Sequence, residues 1–418
     1  MRELSLFNFI IALVFCLCYA YQLVYLAVPL LRREKPLPPS RRANRFAVLI
    51  CARNEEAVIG DLLDSLEGQT YPRDKLRVFV MADNCTDATA AIARSKGAEV
   101  FLRQDRERVG KGYALEALLE QVALAEPGGF DGYFVFDADN LLAPDFIEEM
   151  DRSFSLGHDI VTAYRNSKNY GDSWVSAGCG LWFLRESRYL NEARYLLGVS
   201  AAVSGTGFLF SRAVLEELGG WPFHLLTEDV EFSAREIIRG RRIAFCRRAV
   251  FYDEQPITFR QSWRQRLRWS RGYLQVLKRY GPGLVKGALG GSFSCFDMAM
   301  NILPMIVLTA LSLTVNLVLG IRGALAGDDL MIALLSVGQS LGNTYLMLFL
   351  LGAFTTLTEW RMIRAPIHKK LLYVFTFPLF MLTYLPVSAV SLVCRPGWKP
   401  IHHTVSAGSL REKGVSLQ

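Results

Sequence analysis

Gly132-Tyr-Phe-Val-Phe-Asp-Ala-Asp139 decides the fold, because an apolar run ends there in two aspartates one residue apart. A short apolar run of this kind is typical of a strand buried on both faces. Similar runs cover residues 45–51, 76–82 and 98–102, and helical patterns follow over 55–68, over 87–97, after Gly112 and from Pro144. This alternation predicts an α/β domain with a mostly parallel sheet and helices on both faces.

Polar residues stand at the ends of these strands, where open α/β sheets bind their ligands. They are Arg53, Asn54, Glu55, Asp83, Lys111, Asp137 and Asp139. Asp137 and Asp139 together suit a divalent cation, Mg²⁺ or Mn²⁺, that is completed by substrate phosphates. Lys111 lies between two glycines and can approach a phosphate. The set predicts a nucleotide-diphosphate site, although Asp83 alone would equally suit a helix cap.

Further motifs follow in the second half of the domain. They are Ser204-Gly205-Thr206-Gly207, Thr227-Glu228-Asp229, and Gln265 with Arg268 and Trp269. The last three residues are spaced i, i+3 and i+4, so a helix would present them on one face. The same stretch is rich in Arg and Trp, which also suits an interfacial helix that holds anionic lipid.

Composition indicates a membrane protein rather than an ordinary soluble enzyme. The 418 residues are 51% hydrophobic, with a mean hydropathy of +0.21, which excludes a disordered chain. Uncharged runs over 6–31, 298–321, 330–358 and 371–394 each reach the roughly 20 residues that a transmembrane helix needs. We therefore expect an anchor at 1–36, a catalytic domain at 37–255, interfacial helices at 256–295, transmembrane helices at 296–394 and a tail at 395–418.

Basic residues predict the orientation. They cluster after the first apolar run and between the last two, as Arg32, Arg33, Lys35, Arg41, Arg42, Arg361, Arg364, Lys369 and Lys370. The positive-inside rule then places the domain in the cytoplasm, and anionic lipid accounts for the net charge of +7 better than nucleic acid does. Three spans after the domain would put the tail outside, although it carries Arg395, Lys399, Arg411 and Lys413. Either one run is re-entrant or interfacial, or the basic tail is translocated.

The ordered motifs from about residue 45 to 285 resemble those of the membrane-embedded glycosyltransferases of family 2. That family includes the synthases of poly-N-acetylglucosamine, hyaluronan, chitin and cellulose. The resemblance implies a GT-A fold and an inverting, metal-dependent transfer of a hexosyl or N-acetylhexosaminyl group from a nucleotide sugar, most often a UDP-sugar.

The resemblance also implies a role for each motif residue. Asp229, with Glu228 beside it, would be the catalytic base. Asp137 and Asp139 would bind Mg²⁺ or Mn²⁺. The nucleotide sugar would contact Arg53, Asn54, Glu55, Asp83, Lys111, Asp137, Gln265 and Arg268. The acceptor would contact Trp269, Gly205 and Thr206.

Two acceptors remain open at this stage. The first is a growing cell-surface polysaccharide, and the second is a membrane lipid that receives one sugar, since lipid glucosyltransferases carry similar motifs. A channel or scaffold with a degenerate domain is a third reading, which the full set of charged motif residues disfavours. We expect the bacterial inner membrane as the location and membrane lipids as partners, with an accessory membrane subunit or a homo-oligomer left open. We expect no nucleic acid partner.

Overall fold

One sheet of eight strands organises the part of the chain that carries the motifs. The structure, a computed structural model, describes residues 2–32, 36–40, 43–325, 330–394, 397, 403 and 405. The strands are β1 (Phe46–Ala52), β2 (Leu76–Asp83), β3 (Glu99–Arg103), β4 (Gly132–Asp137), β5 (Leu141–Leu142), β6 (Ile160–Ser167), β7 (Phe208–Ser211) and β8 (Ile243–Asp253). Their order across the sheet is β3-β2-β1-β4-β7-β6-β8-β5.

The first half of the sheet is parallel, as predicted from the sequence. β1 pairs in parallel with β2 and β4, and β2 pairs in parallel with β3. The helices between them are α3 (Ile59–Glu67), α4 (Thr89–Ser95) and α5 (Lys111–Ala125), and α6 (Phe146–Phe154) follows β5. Alternate residues of β1 face two separate cores, Leu49 with Leu115 of α5 on one side and Val48 with Leu62 of α3 on the other. Burial on both faces is why these strands read as continuous apolar runs.

The second half of the sheet is mixed. β7 is antiparallel to both β4 and β6, whereas β6 and β8 are parallel. The helices here are α7 (Trp174–Arg185), a π-helical segment (Glu186–Asn191), α8 (Glu192–Leu196), α9 (Arg212–Leu218) and α10 (Glu228–Ile238). The antiparallel β7 directs the loop of residues 204–207 back to the end of β4, and this brings two distant motifs together.

The remaining helices are largely apolar, except for α11 (Phe259–Leu289), which is rich in arginine. They are α1 (Arg2–Tyr19), α2 (Gln22–Leu31), α11, α12 (Phe293–Leu325), α13 (Leu330–Thr358), α14 (Ile367–Leu382) and α15 (Tyr384–Val393). By length and composition, three stretches of the described chain could span a membrane, Leu6–Leu31, Val337–Thr358 and Ile367–Val393. These match three of the four predicted runs. The fourth, 298–321, lies within α12, and many of its side chains are outside the described residues.

The last apolar run is not one straight helix. It is divided at Thr383 into α14 and α15, and α14 packs on α7 of the catalytic domain. The Phe380 ring lies so close to Gly178 that a Cβ there would come within 2.4 Å of it. Lys369 also donates a hydrogen bond to the Gly171 carbonyl at 2.7 Å. This run is therefore attached to the domain along its length.

Two residues of the tail lie against the catalytic domain. His403 Nδ1 is 2.9 Å from a carboxylate oxygen of Glu55, and the Val405 amide donates to Glu254 at 2.9 Å. Several residues on which the orientation was predicted lie outside the described part of the chain. They are Arg33, Lys35, Arg41, Arg42, Arg395, Lys399, Arg411 and Lys413.

Candidate active site

The end of β4 brings the two predicted metal-binding aspartates together with the loop of residues 204–207. Asp137 is half-buried and Asp139 is buried. The Thr206 hydroxyl accepts a hydrogen bond from the Asp137 amide at 2.8 Å and donates one to Asn140 at 2.5 Å. The loop is thus fastened to the strand end through a buried side chain. Thr206 therefore supports Asp137, and its contact with an acceptor stays a prediction.

Lys111, the first residue of α5, links three of the predicted motifs. Its ammonium group forms an ion pair with Asp137 and donates a hydrogen bond to the Gly205 carbonyl at 2.7 Å. Burial opposes the charged form, but the carboxylates of Asp137 and Glu228 outweigh it and raise the pKa of Lys111. The lysine therefore stays protonated, as a phosphate-binding group must.

A glycine allows α5 to begin at this position. A Cβ on Gly112 would come within 2.0 Å of the Phe223 carbonyl oxygen. Because real side chains never approach a backbone oxygen so closely, only glycine lets the first turn of α5 meet the segment before Thr227. The pairing of Lys111 with Asp137 depends on this close approach.

The loop after β1 contains the predicted residues Arg53, Asn54 and Glu55. Asn54 has a positive φ of 58° and accepts hydrogen bonds from Thr86. The Glu55 amide donates to the Thr89 hydroxyl at 2.8 Å. These contacts join the loop after β1 to the loop after β2, at the carboxyl edge of the sheet. The two loops together form one wall of the site.

Asp83 is held by an ion pair inside this wall. Its carboxylate accepts hydrogen bonds from Arg103 at 2.6 Å and from the Asn84 side chain at 3.0 Å. Asn84 adopts a positive φ of 53°, which Asn tolerates better than most residues. Asp83 therefore does not cap a helix with its side chain. It fixes the turn that borders the wall, and contact with a nucleotide base stays a prediction.

Asp139 lies in a dense network of charges. Its carboxylate accepts a hydrogen bond from the Glu254 amide at 2.7 Å. Burial alone would raise its pKa, but the positive charges of His403, Lys168 and Arg165 outweigh burial and lower it. Asp139 is therefore ionised over the physiological range.

The donor set at the end of β4 fits a divalent cation that takes part of its coordination from a substrate. Within the described residues, no three or more His, Cys, Asp or Glu side chains are arranged to hold a metal ion alone. Asp137 and Asp139 supply hard oxygen ligands, and Mg²⁺ commonly binds one or two carboxylates with substrate phosphates and water. Asp137 already contacts one cation, the ammonium group of Lys111, so the position favours positive charge.

The predicted base lies in the first turn of α10, next to a second carboxylate. Burial, and then the neighbouring charge of Asp229, raise the pKa of Glu228 to about 7. Burial also raises the pKa of Asp229, although Lys111 and Arg268 act in the opposite direction. Two adjacent carboxylates in a buried place cannot both ionise easily, so the pair retains a proton to higher pH than a free Asp or Glu would.

Helix α11 positions the loop that carries these carboxylates. Arg268 donates to the Leu226 carbonyl at 3.1 Å, and Gln275 accepts from the Leu226 amide at 3.1 Å. The side-chain oxygen of Gln265 is buried and has no hydrogen-bond partner within the described chain. A buried polar atom without a partner is costly, and a bound ligand that donates a hydrogen bond would relieve this cost.

Trp269, on α11, packs against α7. Its ring meets the Phe183 ring edge-on, with centroids 6.1 Å apart, and the Arg165 guanidinium lies 3.6 Å above the same Phe183 ring. Trp269 is half-buried, so part of the indole remains free for a ligand. Arg165 also donates a hydrogen bond to the Ser204 carbonyl at 3.0 Å, so Phe183 and Arg165 connect Trp269 to the loop of residues 204–207.

Several site residues were not predicted from the sequence. They are Arg165, Glu186, Asp253, Glu254, Tyr273 and His403. Asp253 and Glu254 follow an apolar strand directly, as Asp137 does, so the same pattern could have found them. Arg165 forms an ion pair with Asp253 but has no motif of its own. His403 approaches Glu55 from 348 residues away, and no local pattern could have indicated that contact.

Comparison with known proteins agrees with the motif assignment. A family model described as "Glycosyltransferase like family 2" matches residues 43–272, which is more than half of the chain. A probable glycosyltransferase of Bacillus subtilis, YdaM, is 28% identical over 260 residues. That alignment covers 56% of this chain and 57% of the relative.

Two further relatives have different acceptors in their names. A beta-monoglucosyldiacylglycerol synthase of Synechocystis is 26% identical over 55% of this chain and 48% of its own length. A poly-beta-1,6-N-acetyl-D-glucosamine synthase of Staphylococcus aureus is 26% identical over 55% of both chains. The chain thus spans about half the length of the relatives that it matches.

A solved structure shares the fold over nearly the whole molecule. The mannosyltransferase PcManGT from Pyrobaculum calidifontis, in complex with GDP-Man and Mn²⁺, superposes with a TM-score of 0.60. The match covers 93% of this chain and 99% of that protein, at 19% sequence identity. At this identity the similarity concerns the fold alone.

Proposed function

Since this chain belongs to glycosyltransferase family 2, we propose that it transfers a sugar from a UDP-sugar to a growing cell-surface polysaccharide with inversion at the anomeric carbon. The chain is a membrane enzyme with a GT-A-like catalytic domain. We further propose that this domain faces the cytoplasm of a bacterial cell. The choice of UDP comes from the resemblance of the motifs, since PcManGT was solved with GDP-Man.

The convergence of two groups on Gly205 carries the proposal. Lys111 donates a hydrogen bond to the Gly205 carbonyl, and a Cβ built on Gly205 would lie 4.0 Å from a carboxylate oxygen of Asp229. The predicted phosphate-binding cation and the predicted base thus both lie next to one residue. An in-line displacement needs both groups close to the anomeric carbon, a cation for the leaving diphosphate and a base for the attacking hydroxyl.

The proposed reaction needs a base and a cationic leaving-group site. Asp229 takes the proton of the acceptor hydroxyl as that oxygen attacks the anomeric carbon. The bond to the diphosphate breaks at the same time, and its negative charge is met by Lys111, Arg268 and the Gln265 amide. A divalent ion bound by Asp137 and Asp139 would neutralise part of the same charge.

The second candidate is the transfer of one sugar to a membrane lipid. The name of the Synechocystis relative favours this reading, and so does the position of α11, which carries both Arg268 at the site and Arg271 next to α15. A lipid hydroxyl could reach Asp229 along such a helix. The two candidates share the donor and the base, and they differ only in the acceptor.

The size of the product would distinguish these candidates. The full chain, purified into lipid, is supplied with radiolabelled UDP-sugars and GDP-mannose, with Mg²⁺ or Mn²⁺. A labelled product of high mass supports the polysaccharide, whereas a small product that extracts into organic solvent supports the lipid. If no nucleotide sugar is turned over and neither UDP nor GDP binds, the proposed function is wrong.

A further inference from the structure

Glu186 is a carboxylate that no motif predicted, and it faces a space that water can enter. From Phe183 to Arg194 it is the only residue that is not buried. Asp229 has the same character, because it is half-buried between the buried Glu228 and Val230. When one residue is accessible to solvent and its neighbours in the chain are buried, its side chain must face a space that solvent can enter. Both carboxylates therefore border water-accessible space.

The loop of residues 204–207 links the two carboxylates, because the Ser204 hydroxyl donates to Glu186 and a Cβ on the next residue, Gly205, would lie 4.0 Å from a carboxylate oxygen of Asp229. Burial raises the pKa of Glu186, and the charge of Asp229 adds to this effect, while Arg165 and Arg194 oppose it. Burial also raises the pKa of Tyr273 of α11, and the negative charges of Glu186 and Asp229 both add to it. Tyr273 lies on α11 one turn after Trp269. We call the region bordered by Glu186, Asp229, Trp269 and Tyr273 the acceptor chamber.

The contacts of Glu186 leave most of its hydrogen-bonding capacity unused. In the described part of the chain it accepts one hydrogen bond, from the Ser204 hydroxyl at the long distance of 3.3 Å. No lysine, arginine or histidine among those residues forms an ion pair with it. A carboxylate can accept about four hydrogen bonds, and an enclosed carboxylate without partners is costly. This pattern is unlike that of Glu192 six residues later, which is paired with Arg188.

The backbone at Glu186 is also unusual. The helix changes from α to π geometry there, and the π-helical segment runs from Glu186 to Asn191. Such segments are rare and occur frequently at functional sites, because they redirect a side chain out of the regular helical arrangement. Here the change coincides with the one accessible side chain in the segment.

We propose that Glu186 binds a second hydroxyl of the acceptor and that the acceptor is therefore a sugar unit rather than a lipid with one free hydroxyl. The inference rests on the proposed glycosyltransferase function. A lipid alcohol such as diacylglycerol offers one hydroxyl, which Asp229 alone would serve. A sugar offers several hydroxyls to carboxylates and an apolar face to aromatic rings such as Trp269 and Tyr273. The acceptor chamber provides both kinds of partner.

The test compares Glu186→Gln with Ser204→Ala in the full chain, purified into lipid. The readouts are the KM for a sugar acceptor, kcat, hydrolysis of the donor without acceptor, and the dissociation constant of UDP. Acceptors are a short oligosaccharide of the transferred sugar and diacylglycerol. Ser204→Ala is the matched control because it removes the hydrogen bond to Glu186 but leaves the carboxylate in place.

Glu186→Gln is expected to raise the KM for the oligosaccharide about 10-fold, since a hydrogen bond to a charged group becomes one to a neutral group. Donor hydrolysis and UDP binding should change less than twofold, and Ser204→Ala should leave the acceptor KM within twofold of the wild type. The inference is overturned if Glu186→Gln leaves the acceptor KM unchanged. It is equally overturned if both variants weaken UDP binding together, which would indicate a purely structural role, or if the wild type glycosylates diacylglycerol but no sugar.

The wild-type enzyme separates this inference from the function on which it rests. Donor hydrolysis and UDP binding by the wild type test the glycosyltransferase function without any acceptor. A lipid product from the wild type would overturn the role given to Glu186 but would leave the glycosyltransferase function intact.

Discussion

Gly272 of α11 is the position where a single methyl group should inactivate the enzyme without unfolding it. A Cβ there would lie 2.5 Å from both Cγ2 and Oγ1 of Thr227. Ordinary carbon contacts begin near about 3.5 Å, so Thr227 would have to move by about 1 Å. Thr227 directly precedes Glu228 and Asp229, and a displacement of this size at a reacting group can lower the rate about 100-fold.

The effect of Gly272→Ala on stability should be much smaller. Overpacking of this kind costs about 1–3 kcal/mol, whereas replacing glycine by alanine inside a helix contributes about 1 kcal/mol in the opposite direction. The free energy of unfolding should therefore fall by about 2 kcal/mol or less. The assay measures the initial rate of sugar transfer, and the thermal unfolding temperature is followed in parallel.

Two further variants make this prediction specific. Gly283→Ala, in the same helix, places its Cβ 2.9 Å from Cδ1 of Ile238, and this flexible end can move away, so activity should persist. Thr227→Ala added to Gly272→Ala removes both clashing atoms and should restore part of the rate. The Thr227 hydroxyl makes no hydrogen bond within the described chain, so its loss is tolerable. Wild-type transfer by Gly272→Ala, or equal inactivation by Gly283→Ala, would refute the reasoning.

Other predictions concern the charged groups. Asp229→Asn should abolish transfer and leave UDP binding within about twofold, and transfer at the wild-type rate would show that Asp229 is not the base. The pKa of Glu228 is about 7, and Glu228 shares its site with the predicted base Asp229. The rate of transfer should therefore fall as the pH drops below about 7, because a base works only when it is deprotonated. A rate that stays constant from pH 5 to 8 would contradict this. Asp139→Ala should remove activity together with the response to added Mn²⁺, and a variant that is active and insensitive to chelators would exclude the metal site. Lys111→Met should weaken UDP binding about 10-fold or more, because a charge-assisted contact to phosphate is lost. Titration with UDP measures this affinity, and an unchanged value would show that Lys111 does not contact the nucleotide.

The parallel half of the sheet could be predicted because each of its strands carries its own signal. β4 begins and ends where the apolar run of residues 132–137 does, and β1 is displaced by one residue from the predicted 45–51. Because these strands are buried on both faces, each is a continuous apolar run and can be predicted without knowing which strands it pairs with. The antiparallel β7 has only four residues, and its pairing with β4 depends on partners far away in the chain.

In the candidate site, too, some residues could be predicted from a local sequence pattern and others could not. Asp137, Lys111 and Asp229 could be identified because each begins or ends a regular element. The network behind them could not, because Arg165, Glu186 and His403 come from segments with no such position. Thr206 shows a further limit, because its motif gave no indication that its hydroxyl bonds the Asp137 amide and Asn140. Sequence position indicates that a residue is near a site but not which way its side chain points.

The attachment of α14 and the tail to the domain constrains how the chain passes through a bilayer. Glu359, just after α13, accepts a hydrogen bond from Tyr164 of β6 at 2.6 Å, so α12 and α13 leave the domain and return to it. The segment from Lys369 to Val405 then both starts and ends on the domain. A single crossing of a bilayer between these two residues would place them on opposite sides, so one of the two contacts would have to break.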